Sequence, residues 1–176
     1  MNEIIKKNGI TFGILIGIFS ILVTTLIYVI DLNLFVNIWL GLTIILIYII
    51  IGVVVVAKTK KQLNNQITFK EAFTVYFIAA VIGGLLSTLF QILLFNVIDP
   101  VAKDTIQELS IKYTTETMEK FNAPSASINE TIEQMQSVDN YSPASLLKGF
   151  AFGLIISAIY SALLGLIFKS KTDYNQ

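Results

Sequence analysis

The sequence predicts an all-α fold: a membrane bundle of four transmembrane helices with a short helical extracytoplasmic cap between helices 3 and 4. Composition is the first observation behind this. The chain has 176 residues, of which 55% are apolar and only 14% charged, and its mean hydropathy is +0.74. An ordinary soluble domain is about 25% charged, and a soluble fold this small leaves too much surface to hide the apolar surplus. The second observation is four uninterrupted apolar runs, about 9–30, 34–57, 72–98 and 147–168, each at least 22 residues long. They carry at most one charge apiece, Lys148 at the start of the fourth. A bilayer core of about 30 Å is crossed by roughly 20 helical residues. The third is the absence within these runs of the dyad alternation that barrel strands need. Residues 1–176 read as a single integral membrane domain.

The first run follows Lys6 and Lys7, as a secretory leader would. A leader's apolar region is about 7–15 residues and ends at a small-residue cleavage site. Here 22 residues lead into Asp31-Leu-Asn33 with no such site, so the run is read as a retained span. Residues 31–33 then form a tight outer turn into the second run. Residues 58–71 form a short basic loop, in which Thr68-Phe-Lys-Glu71 is a capping box that starts the third helix near Phe69.

Residues 99–146 are the only sizeable polar region. Asp99-Pro100 reads as an N-cap followed by proline at the first helical position. Ala102, Ile106, Leu109 and Tyr113 recur at helical spacing after it, until Asn122-Ala-Pro124 breaks the pattern. Ser127-Ile-Asn-Glu130 reads as a second capping box, opening a helix with Ile128, Ile132 and Met135 on one face. Ser142-Pro143 leads into the fourth run in the style of Asp99-Pro100. Two such helices cannot build their own core and are expected to lie over the outer mouth of the bundle.

Lysines set the orientation. With the N-terminus inside, Lys6, Lys7, Lys58, Lys60, Lys61, Lys70, Lys169 and Lys171 are cytoplasmic, against Lys103, Lys112, Lys120 and Lys148 outside. Eight against four satisfies the positive-inside rule. The expected location is the bacterial inner membrane, multi-pass, with both termini cytoplasmic.

Small residues carry the strongest pattern. Gly9, Gly13 and Gly17 recur every fourth residue in the first run, and Gly149, Gly153, Ser157, Ser161 and Gly165 do so in the fourth. The third carries Gly83 and Ser87 at the same interval. Such faces let helix backbones approach closely, and packing is the main force between helices in lipid. They are read as packing surfaces within one bundle, with homo-oligomer formation as the functional alternative. A second feature is a midplane layer of Ser20, Thr24, Tyr48, Ser87, Thr88, Ser157, Tyr160 and Ser161, with Gln91 somewhat outward. Gln91, Tyr48 and Tyr160 are the candidate intramembrane polar site. The bland reading is interior packing, since Ser and Thr bond back to their own helix and Tyr tolerates apolar surroundings.

Several functions are excluded. With no Cys and no His, thiolate and imidazole metal sites, cysteine nucleophiles and histidine acid–base chemistry are absent. All twelve cationic side chains are Lys, and the net charge is zero, so nothing suggests nucleic acid. No Asp, Glu or Arg lies inside a span, which argues against a proton-driven antiporter. The outer acids lack EF-hand spacing, and no phosphate loop or nucleophile elbow is present. No catalytic, metal or cofactor residues are expected.

The layout is similar to a family of small four-span bacterial membrane proteins known only as a domain of unknown function. The resemblance rests on Lys6-Lys7-x-Gly9, Thr68-Phe-Lys-Glu-Ala-Phe73, Val97-Ile-Asp-Pro100 and Lys148-Gly-Phe-Ala-Phe-Gly153, and it covers essentially the whole chain. It implies the four-span architecture and carries no activity. The expected function is that of a non-enzymatic structural or accessory membrane component, whose partners are the lipid bilayer and either its own copies or another membrane protein. The alternative is a small-solute or ion conductor acting as a homo-oligomer.

Overall fold

A computed structural model describes residues 2–170, and among them every regular element is helical. Helix α1 spans Glu3–Ile30, α2 Ile38–Gln62, α3 Phe69–Leu93, α4 Pro100–Lys120, α5 Ser125–Gln136 and α6 Pro143–Phe168. Helices α1, α2, α3 and α6 are long and apolar enough to cross a membrane. Their outward faces hold large apolar side chains that no protein covers, including Leu22, Val29, Trp39, Ile155 and Ile167, the last two 58% and 73% exposed. Such surface, on helices long enough to span, belongs in the apolar interior of a bilayer. The protein is an integral, multi-pass membrane protein.

Helix α3 is the centre of the bundle, with its broadest contacts to α1 and α6; α2 packs more lightly on α1, α3 and α6. The α1–α3 seam is a close backbone approach. A Cβ built on Gly13 would lie 2.7 Å from the Ile82 Cβ and 3.1 Å from the Ala79 carbonyl oxygen. One built on Gly83 would lie 2.5 Å from Ile16 and 3.1 Å from the Gly13 carbonyl oxygen. Gly9 and Gly17 meet Ile78 and Leu86 in the same way. Where α3 faces α2 and α6, a buried cluster of Ile5, Val55, Val56, Ile67, Val75 and Leu164 fills one half of the bundle. This half ends in the lysine-bearing turn and is called the lysine end below.

Helix starts follow local chemistry. The box at Thr68 is present: its hydroxyl accepts from the Glu71 amide at 3.2 Å, and the Glu71 carboxylate accepts from the Thr68 amide at 2.9 Å. Asp99 caps α4 by accepting from Val101 and Ala102, and Ser142 caps α6 by accepting from Ser145. Helix α2 ends where Asn64 and Asn65 take left-handed backbone (φ 55° and 62°), with the Asn65 amide returning to the Lys60 carbonyl. Asparagine is among the few side chains at home in that region.

Boundaries depart from expectation in five places, one of them the end of α2, which runs on to Gln62 through the first residues of the loop expected at 58–71. Helix α1 starts at Glu3, capped by Asn2, rather than at 9. The tight turn at 31–33 is instead a 3-10 turn over Leu32–Val36, so α2 begins at Ile38 and not at 34. Asp31 opens that turn by accepting from the Asn33 amide, which holds its carboxyl below the usual range. No box operates at Ser127, because the Pro124 carbonyl already accepts from the Ser127 and Ile128 amides and the helix starts at Ser125. Helix α3 ends in a π turn over Leu94–Ile98, closed by the Asp99 amide on the Leu94 carbonyl at 2.8 Å.

Candidate functional site

The π turn and the cap build one end of the bundle together. Phe95, buried in the turn, packs with Leu94, Ala102 and Ile106, and Tyr28, Phe35 and Tyr141 close around them. The Phe95 ring meets Phe35 and Tyr141 edge-on, with centroids 5.7 and 4.8 Å apart. The Tyr28 hydroxyl donates to Asp99 at 2.9 Å, so the residue capping α4 also anchors α1. Asn96 donates to the Tyr141 carbonyl at 2.9 Å, fastening the segment before α6 to the π turn. Lys103 donates to Asp139 at 2.7 Å and holds its carboxyl below the usual range, whereas burial pushes the Tyr141 phenol up. The cap is a docked lid over this end, held mainly by apolar burial.

Beneath it, between α3 and α6, lies a groove of about 520 Å³. Ser87, Thr88 and Gln91 line it from α3, and Ser145, Gly149, Gly153 and Ser157 from α6. Asn140 borders it from the cap side, itself donating to Gln107 of α4 at 3.2 Å. Thr88 donates to its own helix at Gly84, and Gln91 donates to Ser87 at a long 3.3 Å. Phe150 and Leu154 supply apolar wall, and among the described residues no charged side chain lines the groove. Its size and mixed lining lie within the range of small-molecule sites, about 300–1,000 Å³.

The small-residue pattern divides accordingly. Gly9, Gly13, Gly17 and Gly83 lie in the α1–α3 seam, and Gly165 sits 2.8 Å (Cβ position) from the Phe69 ring. Ser161 is fully buried and donates to Ser157. Gly149 and Gly153 do not pack against a helix: a Cβ at either would meet nothing within 4 Å, and both line the groove with Ser87 and Ser157. In the lysine half α6 approaches α3 closely at Gly165, whereas in the other half the Phe150 ring lies against Gly84 between the two helices.

Gln91, Tyr48 and Tyr160 do not form one site. Tyr48 shares a 2.6 Å hydrogen bond with Ser20 between α1 and α2. Tyr160 donates to the Ile49 carbonyl at 2.7 Å, and its ring stands edge-on to Tyr76 at 5.0 Å over Gly52. Gln91 belongs to the groove. Thus the midplane layer resolves into helix-to-helix ties and two openings, the α3–α6 groove and a smaller one of about 200 Å³ that Ser20, Thr24, Tyr48 and Ser87 line.

One cluster escaped the sequence reading. Asn8, 8% exposed, donates to Thr59 at 2.9 Å and Gln62 at 2.7 Å, tying α1 to the end of α2. Lys60 reaches the Phe168 carbonyl at 2.9 Å, and Ser170 exchanges two hydrogen bonds with Ile67. The lone signal was Asn8 itself, a polar residue directly before the glycine repeat. Among the described residues no group of three or more carboxylates is placed to hold a metal ion.

No curated protein and no solved structure matches the chain. A family described as "Protein of unknown function (DUF4199)" matches residues 11–170, nearly the whole sequence. On that match the chain belongs to the DUF4199 family of unknown function.

Proposed function

We propose that the protein is a non-enzymatic accessory component of the bacterial inner membrane, with both termini cytoplasmic and the α4–α5 cap outside. The lysine asymmetry supports this orientation. One observation carries the functional part. The groove's inner end is at Ala80, and Ala80 packs against the buried apolar cluster around Val75, Tyr76 and Leu164. A polar solute that entered from the cap side would face a cluster in which the Tyr76 phenol is the one polar buried side chain, and each polar group left without a partner there would cost several kcal/mol. A single copy is therefore suited to holding something at one membrane face and unsuited to passing it through.

Purified protein reconstituted in liposomes tests the reading. The expected result is no flux of small ions or neutral solutes above that of empty vesicles, with wild type and Gln91→Leu alike. Robust wild-type flux that disappears in a folded Gln91→Leu variant would replace the reading with a homo-oligomeric conductor.

A further inference from the structure

We propose that the α3–α6 groove is a binding site for a membrane amphiphile with an uncharged, hydroxyl-bearing head, of the diacylglycerol class. This goes beyond the accessory-component reading and stands or falls separately from it. The location points to lipid as the source. The groove lies within the spanning parts of α3 and α6, and the α6 residues beside it, Phe152, Ile155 and Ile156, are more than half exposed on the lipid-facing side. Its lining selects the head. Among the described residues no Lys, Asp or Glu lines it, so a phosphate or ammonium seated against its inner wall would lie without counter-charge, at a high cost away from water.

What the groove does offer is neutral hydrogen bonding. Gln91 carries two N–H donors and an acceptor oxygen, and among the described residues it makes one long bond, to Ser87. Ser145, Ser157 and Asn140 border the same space. Hydroxyls of a glycerol head are both donors and acceptors, which suits amide and serine groups alike. The apolar wall of Phe150 and Leu154 continues toward the bilayer side chains and suits the first part of an acyl chain. Gly149 and Gly153 keep the α6 side of the groove free of side chains.

The glycines also make the test clean. A Cβ at Gly153 would meet nothing within 4 Å, so the side chain of Gly153→Leu starts in open space and extends into the groove. Wild type, Gly153→Leu, Gln91→Leu and Gly41→Leu would be purified in detergent and exposed to diacylglycerol and phosphatidylglycerol carrying the same photoactivatable acyl chain. Gly41 is the control, since a Cβ there likewise meets nothing within 4 Å but it lies on α2, outside this groove. The expected result is diacylglycerol labelling that maps to α3 and α6. It should fall about tenfold in Gly153→Leu and about fivefold in Gln91→Leu, the latter from one lost set of hydrogen bonds. Gly41→Leu should label as wild type does, and phosphatidylglycerol weakly throughout. Equal diacylglycerol labelling of wild type and folded Gly153→Leu would overturn the proposal. So would preferential labelling by phosphatidylglycerol, displacement of the label by millimolar free glycerol, which would assign a soluble polyol, or loss of self-association in Gly153→Leu without loss of labelling.

Discussion

Replacing Gly13 by alanine adds one carbon at the point of the α1–α3 seam where a new β-carbon would come nearest another β-carbon. That carbon would sit 2.7 Å from the Ile82 Cβ, 3.1 Å from the Ile82 Cγ2 and 3.1 Å from the Ala79 carbonyl oxygen. Carbon pairs are comfortable at about 3.5–4.0 Å, so the two helices must separate by roughly 1 Å. The neighbour at fault is a β-carbon, fixed to the α3 backbone, so rotamer change gives no relief. Separation would also loosen the reciprocal contact of Gly83 with the Gly13 carbonyl. Overpacking of this kind costs about 1–3 kcal/mol. The usual helix-propensity gain of alanine over glycine does little to offset it, because a span stays helical in lipid even when unassembled. Gly153→Ala makes the same chemical change where nothing lies within 4 Å, and its expected cost is about zero. The pair would be compared by unfolding from micelles with increasing SDS, following the near-ultraviolet signal of the packed tyrosines, Tyr76 among them. Equal destabilisation of the two variants would refute the assignment of the seam.

Three further outcomes follow from the same geometry. Cysteines introduced at Glu119 and Asn64 should react oppositely with an impermeant thiol reagent in intact cells, Glu119→Cys labelling and Asn64→Cys not; the reverse pattern inverts the proposed topology. Asn8→Ala should destabilise the protein by about 1–3 kcal/mol by leaving Thr59 and Gln62 with lost partners, with faster hydrogen exchange near Gln62; unchanged exchange there would show the tie is idle. The Asp139 carboxyl is held low in the folded cap, so the stability it adds is fully present above the ordinary aspartate pKa, about 3.9, and is lost as pH falls through the lower folded value. Because both partners are partly exposed this amounts to no more than about 1 kcal/mol. Exchange of α4 amides should rise modestly below about pH 4 and not at pH 6, and a transition near neutrality would assign it to another group.

Architecture was legible because long apolar runs and caps are local signals. Thr68-x-x-Glu71, Asp99-Pro100 and Ser142-Pro143 each start a helix where their side-chain chemistry requires. Ser127 misled because an identical box pattern can occur inside a helix that a preceding proline has already begun. The glycine repeat of α1 located its seam, but the same spacing in α6 serves contact at Gly165 and open space at Gly153. Spacing reports which residues share a face; what that face meets depends on Phe150, a bulky residue outside the repeat. The groove was half visible for the same reason. Gln91 and the serines were marked as unusual, yet their separation from Tyr48 and Tyr160 is set by helix rotation, which the sequence does not encode locally. The π turn left no signal at all, since Leu94–Ile98 reads as ordinary apolar helix.

The central position of α3 has a consequence for biogenesis. Ribosomes deliver the spans in numerical order, so α1 and α2 reach the bilayer before the helix that both α1 and α6 chiefly pack upon. Until then the bare Gly9–Gly13–Gly17 strip has no partner of matching relief, and the first hairpin is joined by Ser20 with Tyr48, by Asn8 with Thr59 and Gln62, and by the Phe19 ring against Tyr48. Those polar ties act as a provisional clasp that keeps α1 and α2 neighbours while α3 is synthesised. The last helix then completes the assembly: its end delivers the Phe168 carbonyl to Lys60 and Ser170 to Ile67, bolting the turn between α2 and α3 only after the entire membrane domain has been made.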